Sequence, residues 1–452
     1  MKELDLTQGS VPKVLLQFAV PFLIANVLQA LYGGADLFVV GQYDDSASVA
    51  AVAIGSQVMQ TITGIILGIT TGTTVLIAIA TGAKDNRKVA FTIGSSVWLF
   101  SITGVVLTLV MVLFHSRIAE LMHTPVEAMV DTKNYILVCS LGILFIVGYN
   151  VVCGILRGLG DSKTPLYFVG LACVINIVLD FILVGYFHWG ATGAAIATVT
   201  AQGVSFGIAL WFLYRHGFHF DFSRKDIRLN RNLSKKILVL GAPIALQDAL
   251  INVSFLIITV NQMGVIASAS LGVVEKIIVF AMLPPMAISS AVATMTAQNY
   301  GAGLIKRMNK CLASGIGIAL VFGVSVCVYS QFLPETLTAF FTKDAAVVAM
   351  AADYLRGYSI DCIVVSFVFC INSYFSGQGN SLFPMIHSLI ATFLFRIPLS
   401  YWFSQIDSSS LFIMGFAPPI STVVSLLICI WYLRYTQRKL YLRGTMMPAM
   451  SN

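Results

Sequence analysis

Two aspartates in this 452-residue chain stand where a charge is costly. Asp36 lies within Ala30-Leu31-Tyr32-Gly33-Gly34-Ala35-Asp36-Leu37-Phe38 and Asp180 within Val174-Ile175-Asn176-Ile177-Val178-Leu179-Asp180, both inside long apolar runs. A charged side chain at the centre of a bilayer costs ~2.5–3.5 kcal/mol even on the lenient insertion scale, so it must face protein or a water cavity. Asn176 precedes Asp180 by one helical turn and projects from the same face. Two carboxylates from different helices plus an amide make a candidate cation or proton site. Such a pair takes up a proton near neutral pH or is neutralised by a hard cation with oxygen ligands. The alternative is that each aspartate only bonds a neighbouring helix.

The second half of the chain carries its own polar set: Gln247, Asp248, Glu275, Lys276, Asp361 and Arg396. Glu275 and Lys276 read as ordinary interfacial charges near a helix end. Asp361 and Arg396 could form an interhelical ion pair. For all six, a structural and a functional role stay open.

The elements that position these residues follow from composition. Hydrophobic residues are 58% of the chain, charged residues 10%, and mean hydropathy is +0.87. A soluble domain carries roughly a quarter charged residues, so lipid must be the main solvent here. The fold class is therefore an all-α integral membrane protein. Apolar segments are expected near 14–40, 50–82, 91–114, 134–156, 165–187 and 191–214, then 236–262, 267–298, 309–332, 352–375, 383–404 and 411–434. That is about twelve spans of the roughly 20 residues a bilayer requires. The longest, 50–82, implies tilt or an extension beyond the hydrocarbon.

The net charge of +7 does not point to nucleic acid, because basic residues are confined to short connections. The central stretch from His216 to Lys236 holds Arg224, Lys225, Arg228, Arg231, Lys235 and Lys236 and reads as a cytoplasmic linker anchored at lipid headgroups. Lys84, Arg87 and Lys88, then Lys163, then Lys306, Arg307 and Lys310, then Arg434, Arg438, Lys439 and Arg443 follow even-numbered spans. Odd-numbered connections are poor in Lys and Arg, apart from Arg117, Lys133 and Lys343. Both termini are thus expected in the cytoplasm, with an even number of spans. Lys2, Glu3, Asp5 and Lys13 precede an apolar stretch too long for a signal h-region.

The two halves repeat each other. Tyr135 and Gly158-Leu159-Gly160-Asp161-Ser162-Lys163-Thr164-Pro165 have counterparts about 219 residues later in Tyr354 and Gly377-Gln378-Gly379-Asn380-Ser381-Leu382-Phe383-Pro384, and Pro21 aligns with Pro243. The expected organisation is a first lobe over 1–215, a linker over 216–235 and a second lobe over 236–440. With an even number of spans in each half, the repeats are parallel, an arrangement known in secondary transporters that bind substrate near the midplane. The halves are not equivalent. Position 36 has an apolar partner near Ile258, and Asn176 and Asp180 face Phe395 and Leu399.

Motifs of soluble enzymes are absent or fortuitous. Gly203-Val204-Ser205-Phe206-Gly207 fits GxSxG, but lies inside an apolar helix and not on the strand-to-helix turn a nucleophile elbow needs. No GxxxxGK[ST] loop occurs. Gly64, Gly68 and Gly72 form a GxxxGxxxG run that reads as close helix packing, with a gating role as the alternative. The eight cysteines read as small packing residues, not as disulfides or a metal site.

This pattern resembles the multidrug and toxin extrusion (MATE) family over nearly the whole chain. The residues that carry the likeness are Pro21 and Ala35-Asp36-Leu37-Phe38-Val39-Val40-Gly41, then Leu156-Arg157-Gly158-Leu159-Gly160-Asp161-Ser162 and Asn176-Ile177-Val178-Leu179-Asp180. Gly193-Ala194-Ala195-Ile196-Ala197-Thr198 and Gln298-Asn299-Tyr300-Gly301-Ala302-Gly303 complete the set. The resemblance implies a secondary antiporter of two six-helix lobes forming a V-shaped cleft. Inward proton or sodium flow would drive export of organic cations or amphipathic toxic compounds, with no other cofactor and no enzymatic activity. In the DinF-like branch the cation site maps onto Asp36, Asn176, Asp180 and Thr198, which would also be the ligands of a bound Na+. Gln29, Tyr135 and Asn150 would line the cavity, and Pro21 would be the helix-bending proline. Gln247 replaces the glutamate of the NorM-like branch, and apolar Val365 its aspartate, since Asp361 lies about a turn too early. Coupling through the first lobe is thereby favoured. The chain is expected to act as a monomer in the inner membrane. A lipid-linked-oligosaccharide flippase of the same superfamily is the nearest rival, disfavoured by first-half spans nearly free of Lys and Arg. A membrane-embedded aspartyl enzyme is a more distant one.

Overall fold

The computed structural model describes residues 4–260, 264–406 and 410–445, with the side chains of Arg224, Asp248, 251–260, 264–265 and 438–445 outside the description. Asp248, Ile258, Arg224, Arg438, Lys439 and Arg443 therefore fall outside the described side chains. The regular structure is helical throughout the described residues. Physics demands this of a chain in lipid, where every backbone N–H and C=O must be satisfied within the segment.

In chain order the helices are α1 (Val11–Tyr43), α2 (Ser46–Gly82), α3 (Asn86–Leu121), α4 (Met129–Leu141), α5 (Ile143–Leu159), α6 (Lys163–Asp180) and α7 (Gly190–His216). The chain continues as α8 (Arg231–Val260), α9 (Gly264–Gly301), α10 (Ile305–Phe332), the short α11 (Pro334–Thr338), α12 (Ala345–Gly377), α13 (Leu382–Ile390), α14 (Ile397–Ile406) and α15 (Ala417–Thr445). Among the described residues, ten stretches are long and apolar enough to cross a membrane, and the bent pair α4–α5 makes an eleventh. The 30-residue α8 stands where the seventh span is expected. Their outer faces are apolar: Leu113 on α3 is 74% exposed and Trp431 on α15 is 67% exposed. In water such surfaces would aggregate; in lipid they are the solvated face.

The expected fourth span, 134–156, is broken rather than continuous, with α4 and α5 meeting at a 49° bend. The bend falls at Gly142, where a Cβ would come within 2.6 Å of the Val199 side chain on α7. Glycine is a common site of sharp helix bends, and here it also lets α7 approach. Two spans carry a π-helical turn, Phe181–Tyr186 after α6 and Ala391–Arg396 between α13 and α14. Glu275 and Lys276 differ from expectation too: they are exposed well inside α9, not at its end.

By packing, the chain forms two compact units. One comprises Met1–Ala249, Ser290–Cys311 and Ser376–Ser381, the other Leu250–Ser289, Leu312–Phe375 and Leu382–Asn452. In the first, α2 packs on α3, α4 and α5, while α6 lies between α1 and α7. Its core includes Val52, Ile66, Ile77, Phe100, Tyr135 and Ile143. In the second, Val274, Tyr354, Leu355, Tyr358, Leu411 and Met414 form the core. All eight cysteines are unpaired and buried, as packing residues.

The repeated turn has a physical explanation. Gly160 and Gly379 both adopt positive φ, +98° and +86°, a backbone region open mainly to glycine. Asp161 then caps α6, its Oδ1 accepting from the N–H groups of Lys163 and Thr164, both at 3.0 Å. The Gln298–Gly303 segment is a clamp within the first unit. Gln298 Nε2 donates to Gly158 O at 3.1 Å, and Asn299 Nδ2 donates to Leu6 O at 3.1 Å. Arg307 Nη1 donates to Gly9 O at 2.7 Å and Nη2 to Gln8 O at 2.5 Å and Leu6 O at 3.3 Å. A guanidinium presents several donors in one fixed fork and an ammonium does not. Arg307→Ala is therefore expected to cost about 1–2 kcal/mol and to expose residues 4–10 to protease, with Arg307→Lys restoring only part. Thermal unfolding in detergent and the rate of N-terminal cleavage measure both; equal behaviour of Lys and Arg would remove the fork from the explanation.

Candidate functional site

Three helices of the first unit converge their polar residues on one point. On α1, Gln29, Tyr32 and Asp36 fall at helical spacing on one face. On α6, Asn176 and Asp180 do the same, and on α7, Thr198 and Gln202. Thr198 Oγ1 donates to Asp36 Oδ2 at 3.1 Å, and Asn176 Nδ2 donates to Thr198 Oγ1 at 3.3 Å. Asp36 lies beside both Asp180 and Asn176, near enough to interact electrostatically. Asp36 is 4% exposed, Asn176 1% and Asp180 fully buried.

What this cluster lacks is donors. Asp36 Oδ1, Asn176 Oδ1, both carboxylate oxygens of Asp180 and Gln202 Oε1 are buried without a hydrogen-bond partner. Buried acceptors normally find one, and an unpaired buried charge is far costlier than an unpaired amide. Oxygens alone, two of the groups formally anionic, are a ligand set for a proton or a hard cation. The donor chemistry thus fits a sodium ion as transported cargo as well as a shared proton. Asp180 also sits at the start of a π-helical turn, closed by a bond from Phe187 N to Ile182 O at 3.0 Å. Such turns are frequent at functional sites.

The structure brings together the four residues Asp36, Asn176, Asp180 and Thr198. Tyr135 on α4 is buried close enough to Asp36 to feel its charge, with Cys139 one turn further on. A Cβ at Gly55 of α2 would collide with the Tyr135 ring, so that glycine makes room for the tyrosine. Asn150 is placed differently: buried on α5, it spends its amide on its own helix, Nδ2 donating to Ile146 O at 2.8 Å. Gln29 is half-buried. Pro21 is buried within α1, which runs unbroken through it; having no N–H, it leaves the carbonyl of Gln17 without a helical partner. The Arg157 guanidinium sits 5.1 Å from the neighbouring Phe22 ring.

Sequence reasoning missed Tyr32 and Gln202, joined by a bond from Gln202 Nε2 to Tyr32 Oη at 3.2 Å. The signal was their spacing, four residues before Asp36 and four after Thr198. In the second unit, Asp361 is buried beside Tyr358 and Thr422, with Arg396 near enough to act electrostatically.

Buried ionisable residues within apolar spans mark ion or substrate pathways, and here they gather in a cluster with more acceptors than donors. A family model described as MatE matches residues 21–182 and 243–402, both halves of the chain. The chain belongs to the multidrug and toxin extrusion family, whose members are transporters. It is 29% identical over 407 residues to the probable multidrug resistance protein YpnP of Bacillus subtilis, covering 89% of this chain and 91% of that one. It is 27% identical over 404 residues to the probable multidrug resistance protein NorM of Thermotoga maritima, covering 86% and 85%. Multidrug export protein MepA of Staphylococcus aureus is 26% identical over 380 residues, covering 81% and 82%. Among solved structures, an outward-facing conformation of a multidrug resistance MATE family transporter superposes with a TM-score of 0.92 at 23% identity, covering 97% of this chain and 99% of that one. That likeness establishes the fold.

Proposed function

We propose that this protein is a cation-coupled multidrug antiporter of the DinF-like branch that exports organic cations or amphipathic compounds. The observation that carries this reading is the oxygen cluster of Asp36, Asn176 and Asp180, with Thr198 bridging two of them. A proton or sodium ion bound there stabilises one conformation of the transporter, and drug bound in the cavity stabilises the other. Coupling requires that each ligand bind the two conformations with different affinity. The names of the relatives support drugs as the cargo. Basic connections after even-numbered spans support a multi-pass protein of the cytoplasmic membrane with both termini inside the cell; we expect it to act as a monomer.

The test is transport in proteoliposomes under separately imposed proton and sodium gradients, with a small panel of fluorescent cations. One of the two gradients is expected to accelerate movement of the cations, and Asp180→Asn to remove that acceleration. Movement indifferent to both gradients would sink the antiport reading. Movement of a pyrophosphate-linked lipid instead would favour the flippase.

A further inference from the structure

The stretch between α7 and α8 is docked, not a loose tether. Phe218, Phe220 and Phe222 pack against the core of the first unit. On α3, a Cβ at Gly94 would collide with the carbonyl of Asp226, and Trp98 Nε1 donates to Ile227 O at 3.0 Å. Between this segment and the start of α3 lies a cavity of about 680 Å³, lined among others by Arg87, Phe91, Lys225 and Arg228. The guanidiniums of Arg87 and Arg228 are held 5.6 and 5.0 Å from the centre of the same ring, Phe91. Both are exposed, and among the described residues neither has a carboxylate partner. Asp221 and Asp226 also border the cavity, but the Asp226 carboxylate is engaged by the Ser223 N–H at 2.8 Å and its hydroxyl at 3.0 Å. Two like charges fixed on one ring favour an anion between them, and paired guanidiniums suit phosphate oxygens.

A second feature gives the character of that anion. From Arg87 and Phe91 the same face of α3 continues as Trp98, Ile102, Val105, Leu109 and Leu113, all exposed. An apolar track that begins at a cationic cavity matches an amphiphile. We propose that this cavity binds a phosphate-bearing anion, and that its occupant is the headgroup of an anionic phospholipid whose acyl chain lies along α3. The site then joins the docked linker to α3 through the lipid, using residues that the transport site does not.

Native mass spectrometry of the full-length protein, released from neutral detergent with phosphatidylglycerol or phosphatidylcholine of equal chain length, tests this. Retention of one phosphatidylglycerol in preference to phosphatidylcholine is expected. The Arg87→Gln/Arg228→Gln double variant should lower that retention at least about tenfold, and Arg87→Lys/Arg228→Lys should restore only part. Lys84→Gln, in the same connection but outside the cavity, should change nothing. Unfolding temperatures of all variants confirm that they are folded. A competition arm with glycerol 3-phosphate separates the sources: retention of lipid at millimolar competitor supports the lipid, and full displacement overturns it in favour of a soluble phosphate. Equal retention of the two lipids, or undiminished phosphatidylglycerol retention by the folded Arg87→Gln/Arg228→Gln variant, overturns the site.

Discussion

Asp36→Asn and Asp180→Asn are each expected to yield a folded protein that has lost drug export. Asparagine has almost the shape of aspartate, so the packing around α1 and α6 is kept. Removing a formal charge also relieves a burial cost, because both oxygens of Asp180 and one of Asp36 have no hydrogen-bond partner. Breaking an ordinary buried ion pair destabilises by several kcal/mol, but among the described residues no cationic side chain is paired with either carboxylate, so the argument reverses. Stability should be unchanged or rise by about 1 kcal/mol. Function should go the other way. The amide supplies a donor that the cluster lacks and cannot take up or release the coupling ion. Coupling energies between sites are typically ~1–3 kcal/mol, so gradient-driven export should fall by tenfold or more. Drug susceptibility of expressing cells, read beside unfolding temperature in detergent, checks both halves. If both variants export normally, or if loss of export merely follows loss of folded protein, the cluster is structural.

Asp36, Asn176 and Asp180 could be picked out of the sequence because a charge in an apolar run is costly and therefore conspicuous. Thr198 entered only by family resemblance, and Tyr32 and Gln202 were passed over. Neutral polar residues cost little in a helix that packs on others, so their spacing from Asp36 and Thr198 carries weight only once α1 and α7 are known to be neighbours. The break at Gly142 was illegible for a similar reason: hydropathy runs smoothly through it, and only Val199 on α7 shows why a side chain is excluded. The repeat was legible where backbone conformation demands glycine, at Gly160 and Gly379. It misleads elsewhere. The second π-helical turn falls at Ala391–Arg396, about nine residues earlier than the repeat offset would put it. Basic residues gave the linker its reading as a lipid anchor, while Phe218, Phe220 and Phe222 went unread as a docking face.

Alanine at Gly68, Gly72 or Gly241 is expected to impair assembly, whereas Gly64→Ala should be harmless. All but Gly241 belong to the single GxxxGxxxG run of α2, and the structure divides them. A Cβ on Gly68 would lie 2.5 Å from the Ala245 backbone, and one on Gly72 would collide with the Ile237 carbonyl. Gly241 of α8 reciprocates, its Cβ position 2.5 Å from Ile69 Cα, while among the described residues nothing lies within 4 Å of a Cβ on Gly64. Every obstructing atom belongs to the backbone or is the Ala245 methyl fixed to it, so no rotamer change can make room. Overpacking costs about 1–3 kcal/mol, and contacts this direct belong at the upper end. Lipid gives helices no hydrophobic drive to associate, so close approach is itself the attraction that these alanines would remove. At Gly64 only the gain in helix propensity remains, ~0.5–1 kcal/mol in favour of alanine. Yields of monodisperse protein and unfolding temperatures should therefore rank Gly64→Ala at or above the parent and the other three well below it. Because α2 also carries Gly55 against the ring of Tyr135, folded remnants of Gly72→Ala should lose export as well. Four variants with one common unfolding temperature would mean that α2 and α8 do not meet through these glycines.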